Sequence, residues 1–234
     1  MSTAEHRSRS SVHLGATLRS VMTAPTAGFQ AAVKATARRE RAGTTPAEGY
    51  APYVLAAVGG AMLFLLWLKV SPLLGLRAES AQAYRWEFIA FAGLLGAIFS
   101  LLGQLAWSFA GEAAIRSLGG ETERRDLRLV WGAALAPQMI ALVFLLPFDL
   151  LIVGPELFTS ARLEDTVASA WAALSVALGL SLAVWSLVIL VRGAEVVSKL
   201  SLRRSAIAVF ACVLCTVVVV LLFRMGALAL AGGS

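Results

Sequence analysis

Histidine is nearly missing from this chain. Two of its 234 residues are histidine, and both, His6 and His13, lie in a polar stretch ahead of the first apolar run. An imidazole base inside the apolar region is therefore excluded, and Ser181, within a Gly-Leu-Ser-Leu-Ala run, has no partner for nucleophilic catalysis. Cysteine is equally scarce. Cys212 and Cys215 sit three apart in an apolar run, share a helix face and cannot join in an unstrained disulfide, so a redox or metal role finds no support. Phosphate loops, paired-histidine zinc helices and aspartate clusters suited to magnesium are missing too. No catalytic, cofactor-binding or metal-binding residue is expected. The first fifty residues hold no early apolar block with a small-residue cleavage site, so a cleaved signal peptide is not expected.

Charge is also sparse, at 15% of residues, whereas 59% are hydrophobic. That balance belongs to a polytopic membrane protein rather than a soluble domain. Five segments approach the roughly 20 apolar residues a bilayer needs. They run over about 51–70, 87–111, 129–148, 166–191 and 205–225. The expectation is an all-α bundle of five transmembrane helices over 49–231, a polar tail over 1–15 and an amphipathic lead over 16–48. Lys and Arg fall fifteen to five on alternate sides of these spans. The positive-inside bias then places the amino terminus in the cytoplasm and the carboxyl terminus outside the cytoplasmic membrane. The net charge of +6 reads as topology and contact with membrane lipids, not nucleic-acid binding.

In the lead, Leu14, Leu18, Val21, Met22, Phe29 and Val33 recur at helical spacing opposite Arg19, Lys34 and Arg38. Pro25 fits the first turn of a second helix, which predicts two short helices with a break between them. The segment suits an anionic membrane surface, with docking to a soluble partner as the alternative. Small residues every four positions predict close helix packing along Ala56 and Gly60, along Ala92, Gly96 and Ser100, and along Ser169, Ala173, Ala177 and Ser181. Gln104 is the most polar side chain of span 2 and is expected to bond to a neighbouring helix or contact a substrate. Glu112 with Arg116, and Glu195 with Lys199, are spaced as surface ion pairs.

Span 3 carries the most unusual stretch, WGAALAPQMIALVFLLPFDLLIVGP from Trp131 to Pro155. Pro137 predicts a kink near Ala133. Counting about 20 residues from Arg128 ends the span near Phe148, which puts Asp149 at the outer interface with Pro147 and Pro155 bracketing the exit. Neutralising Asp149 is then expected to be mild.

The order of these elements resembles a known family. Met22-Thr23-Ala24-Pro25 followed by Phe29, then Val130 to Pro137 with Gly132 and Pro137 in matching places, Trp185 late in span 4 and the run Ser201 to Ala206 are similar to features of bacterial Yip1-domain proteins. The resemblance spans about residues 16 to 225 and implies a five-span membrane domain with a cytoplasmic lead. Similar eukaryotic proteins act in membrane traffic and bind prenylated small GTPases, but the Asp-Leu-x-Gly-Pro element they carry before span 1 is not matched here. The role expected of such a chain is that of a non-enzymatic scaffold with an unknown membrane or cytoplasmic protein partner. Pro25, Phe29, Gln104, Gly132, Pro137, Gln138 and Trp185 are its candidate structural or partner positions. The rival is a permease or channel-like component moving a small solute or lipid, with Gln104, Gln138 and span 3 along its path.

Overall fold

A computed structural model describes residues 19–31, 50–70, 86–158 and 166–215. Two short helices, α1 over 19–23 and α2 over 25–31, lead into α3 (Ala51–Val70), α4 (Trp86–Ser117) and α5 (Arg124–Ala134). The chain continues through α6 (Ala136–Ile140), a π turn (Ala141–Leu145), α7 (Leu146–Ile152), a 3₁₀ turn (Gly154–Phe158) and α8 (Thr166–Ser198), and then α9 over 202–215. Described elements are all helical. Four stretches are long and apolar enough to cross a membrane: α3, α4, α5 through α7, and α8. The expected fifth span is described only through α9, and its remainder, like the tail over 1–15 and most of the lead, lies outside the described residues.

Span 3 is the inner helix. Half of its most apolar window is buried, against 28% for α4 and α8, whose other faces present leucine, valine and phenylalanine outward. Its course differs from the expected single kink. Pro137 lacks the N–H that would reach Ala133, so the turn at Leu135 tightens, with Leu135 N–H donating to Gly132 O (3.2 Å) and Gln138 N–H to Leu135 O (3.0 Å). Pro147 likewise lacks an N–H, and the π turn directly ahead of it absorbs the defect, so the helix continues as α7. The span therefore runs from Arg124 to Ile152. The helix does not stop at Phe148, because two proline-induced irregularities replace a break.

Other expectations change through helix facing. On α8 the row Ser169, Ala173, Ala177 and Ser181 is exposed in the described structure, whereas Ala168, Ser175, Gly179 and Ser186 are buried. On α3 and α4 the small rows do meet: a side chain at Gly60 would overlap Ser100, and one at Gly96 would overlap Phe64 and Gly60 O. α4 closes at Gly119, whose φ of +83° suits glycine, with Gly120 N–H returning to Ile115 O at 3.0 Å. α8 ends at Ser198, and Lys199 turns away with φ of +56°. Glu195 consequently pairs with Arg192 at 3.1 Å rather than with Lys199.

Two apolar clusters fill the bundle. One joins α1 and α2 to the end bearing Arg124, Arg128 and Arg192, here termed the basic end, through Val21, Phe29, Leu127, Val130, Ile189 and Ala194. The other packs Met62, Leu65, Ile89, Ala141, Leu145 and Phe158 toward the opposite end.

Candidate functional site

Polar side chains within the bundle collect at three heights along span 3. Nearest the far end, Asp149 on α7 is fully buried and forms an ion pair with Lys69, the last basic residue of α3, whose side chain is 3% exposed. Lys69 Nζ also donates to Ser175 Oγ at 3.1 Å and lies 5.6 Å from the Phe158 ring. Trp171 Nε1 donates to the other Asp149 oxygen at 3.0 Å. Four elements thus contribute to one sealed charge centre. Asp149, expected at the outer interface with a mild response to neutralisation, is instead enclosed by protein: the π turn carries α7 on past Pro147 and sets its carboxylate against α3 and α8. Two isolated opposite charges, each ending an apolar span at the same end of the bundle, were the legible signal for this pair.

At mid-height, Pro137 and Gln138 are buried in α6, and Gln138 Nε2 faces Ser186 Oγ of α8 at 3.4 Å. Closer to the basic end, Gln104 of α4 is fully buried and donates from Nε2 to Arg128 O (2.9 Å) and Pro52 O (3.3 Å), which ties α4 to both α5 and α3. Gly132 belongs to the same junction. A side chain there would collide with the Pro52 backbone, so α3 and α5 approach closely only because the position is bare.

The lead closes the basic end. Ala24 forms a bend between two short helices, and Pro25 opens the second. Val21 and Phe29 are buried against protein, the Phe29 ring filling space that a side chain at Gly193 would need, while Val130 lines the same spot. Trp185 Nε1 donates to Met22 O at 3.1 Å and fastens the break between α1 and α2 to α8. The expectation that the apolar face of the lead turns to the lipid surface is thus corrected for residues 19–31: Val21 and Phe29 face the bundle, because α5 and α8 offer a cleft floored by glycine.

At the same basic end, Glu112 accepts from Arg116 at 2.6 Å and Arg124 at 2.5 Å, and the Arg124 guanidinium rests 4.3 Å from the Phe109 ring centre. Both arginines are largely exposed, which leaves a basic rim. The candidate positions therefore gather as Pro25 with Phe29 and Trp185, Gln104 with Gly132, and Pro137 with Gln138. They do not form one pocket. Among the described residues no group of three or more His, Cys, Asp or Glu is set to hold a metal ion.

The Yip1 domain sequence model matches residues 19–223, a stretch that begins at α1 and takes in every described span. No curated protein and no solved structure matches the chain significantly.

Proposed function

The chain belongs to the Yip1 domain family, and from that premise we propose that it is a non-enzymatic scaffold that binds a protein partner at its basic end. It is an integral membrane protein with several apolar helices. The observation that carries the reading is the docked lead. Val21, Phe29 and the Trp185 bond hold α1 and α2 on the bundle, so their outward residues Arg19, Thr23, Ala27 and Gln30 form a fixed surface at the same end as the Arg116 and Arg124 rim. A surface held in one conformation binds without first being ordered, which favours affinity. With fifteen of twenty basic residues on that side, the basic end faces the cytoplasm of a bacterial cell and the carboxyl terminus lies outside.

Deleting the lead would confound the test, since Val21 and Phe29 are core residues. The full chain carrying Arg19→Glu with Gln30→Glu, or Arg203→Glu with Arg204→Glu, should instead be affinity-purified in mild detergent beside the wild type. Loss of the same partners from either variant supports the reading. Unchanged recovery from both removes it.

The permease reading draws on one observation, the buried Lys69 and Asp149 pair, since ionised groups within membrane spans often mark solute paths. Flux through liposomes that disappears in Asp149→Asn but persists in Arg19→Glu would favour it over the scaffold.

A further inference from the structure

Near the basic end, four polar atoms on one seam have no hydrogen-bond partner among the described residues: Gln104 Oε1 and Trp107 Nε1 on α4, and Arg128 Nε and Trp131 Nε1 on α5. They are neighbours. Gln104 and Trp107 are one turn apart on α4, Arg128 and Trp131 one turn apart on α5, Gln104 bonds to Arg128 O, and the two indole rings lie 6.0 Å apart. Gln104 and Trp107 are 0% and 4% exposed, whereas Arg128, Trp131 and Tyr53 are half-buried. Among the described residues Arg128 has no carboxylate partner, and its NH1 donates to the Tyr53 hydroxyl at 3.2 Å.

Buried donors are rarely left unpaired, and a guanidinium near the start of a membrane span whose Nε lacks an acceptor still less so. The chemistry of these positions is selective: three N–H donors, one of them charged, and a single acceptor. Three donors and a positive charge fit phosphate oxygens, and the Gln104 carbonyl fits a hydroxyl donor on the same ligand. Depth agrees, because Tyr53 and Arg128 sit in the opening turns of α3 and span 3, where lipid head groups lie. Val54 and Leu105, adjacent to Tyr53 and Gln104, are exposed apolar side chains on which acyl chains can rest.

We propose that the α4 and α5 seam at Arg128 is a binding site for an anionic phospholipid with a hydroxyl-bearing head group, the phosphate being held by Arg128 and the two indoles. The site is independent of the scaffold reading, since lipid retention and partner recovery are separate measurements. The test uses the purified full chain in detergent with added phosphatidylglycerol or phosphatidylcholine, read by native mass spectrometry and by thermal midpoint. Wild type should retain phosphatidylglycerol in preference and gain thermal stability from it. Arg128→Gln should lose retention about tenfold, the scale of one charge-assisted contact of about 1.4 kcal/mol. Tyr53→Phe, which removes only the hydroxyl that steadies the guanidinium, should lose it a fewfold, and Arg203→Gln, an exposed arginine at the same end, should match wild type. No preference in wild type, or equal losses in Arg128→Gln and Arg203→Gln, overturns the proposal. If inorganic phosphate stabilises as well as the lipid does, the lipid source is overturned. Should Arg128→Gln fail to fold, Tyr53→Phe decides: reduced retention supports the site and full retention overturns it.

Discussion

Replacing Asp149 by asparagine should be among the most damaging conservative changes in the protein. Asparagine keeps an acceptor for Trp171 Nε1 but removes the charge opposite Lys69, leaving an ammonium whose side chain is 3% exposed with Ser175 Oγ and the face of Phe158. Breaking one side of a buried ion pair costs about 3–5 kcal/mol. For a chain of this length each kcal/mol moves a thermal midpoint by roughly 2–4 °C, so a drop of roughly 6 °C or more is expected. Lys69→Met should cost a similar amount, because it strands the carboxylate with Trp171 alone. The double variant Lys69→Met with Asp149→Leu removes both charges and refills the space with apolar atoms, so it should recover most of the loss. The measurement is a double-mutant cycle on detergent-purified protein, followed by fluorescence-detected size exclusion after heating. An Asp149→Asn protein within about 1 kcal/mol of wild type, or a double variant as damaged as the sum of the singles, would refute the buried-pair account.

Gly132→Ala should destabilise by about 1–3 kcal/mol, because its methyl group meets the Pro52 backbone, which has no side-chain freedom to yield; the same heating assay reads it. Phe29→Ala removes a fully buried ring, worth about 3–5 kcal/mol in a core, and should release the lead. Limited proteolysis within residues 19–31 should quicken while the spans remain protected, and unchanged cleavage would contradict the docked lead. Glu112→Gln should shift the thermal midpoint by a small fraction of the Asp149→Asn effect, since the Arg116 and Arg124 side chains are 66% and 49% exposed. A shift as large as that of Asp149→Asn would show the rim to be structural.

The apolar runs made the membrane character and the four described spans legible, because each needs only length and composition. Pro25 was legible as the opening of a second short helix because proline fixes local geometry. Facing was not legible where apolar side chains surround the helix. α8 is hydrophobic on every side, so its two small-residue rows looked alike, and only packing distinguishes Ser175 and Gly179 from Ala173 and Ala177. The burial of Asp149 was missed for a related reason. A length count treats a helix as uniform, but the π turn ahead of Pro147 lets the helix continue and alters which way its next residues point. The unpaired groups beside Gln104 were out of reach altogether, since a tryptophan late in α4 and an arginine and a tryptophan in the opening turns of span 3 are ordinary interface residues until their partners can be counted.

Each of the three heights at which span 3 carries a polar bond inside the bundle lies close to a local departure from regular packing. Arg128 O, held by Gln104, lies one turn from the bare Gly132; Gln138, facing Ser186, follows Pro137; and Asp149, paired with Lys69, follows Pro147. Apolar attraction does not discriminate between helix and lipid in a bilayer, so spans are held by close backbone approach and by polar contacts. Irregular turns in span 3 expose backbone and redirect side chains, and the polar bonds fasten those redirected positions to α3, α4 and α8. The two prolines and the buried carboxylate of this span therefore act first as its means of attachment.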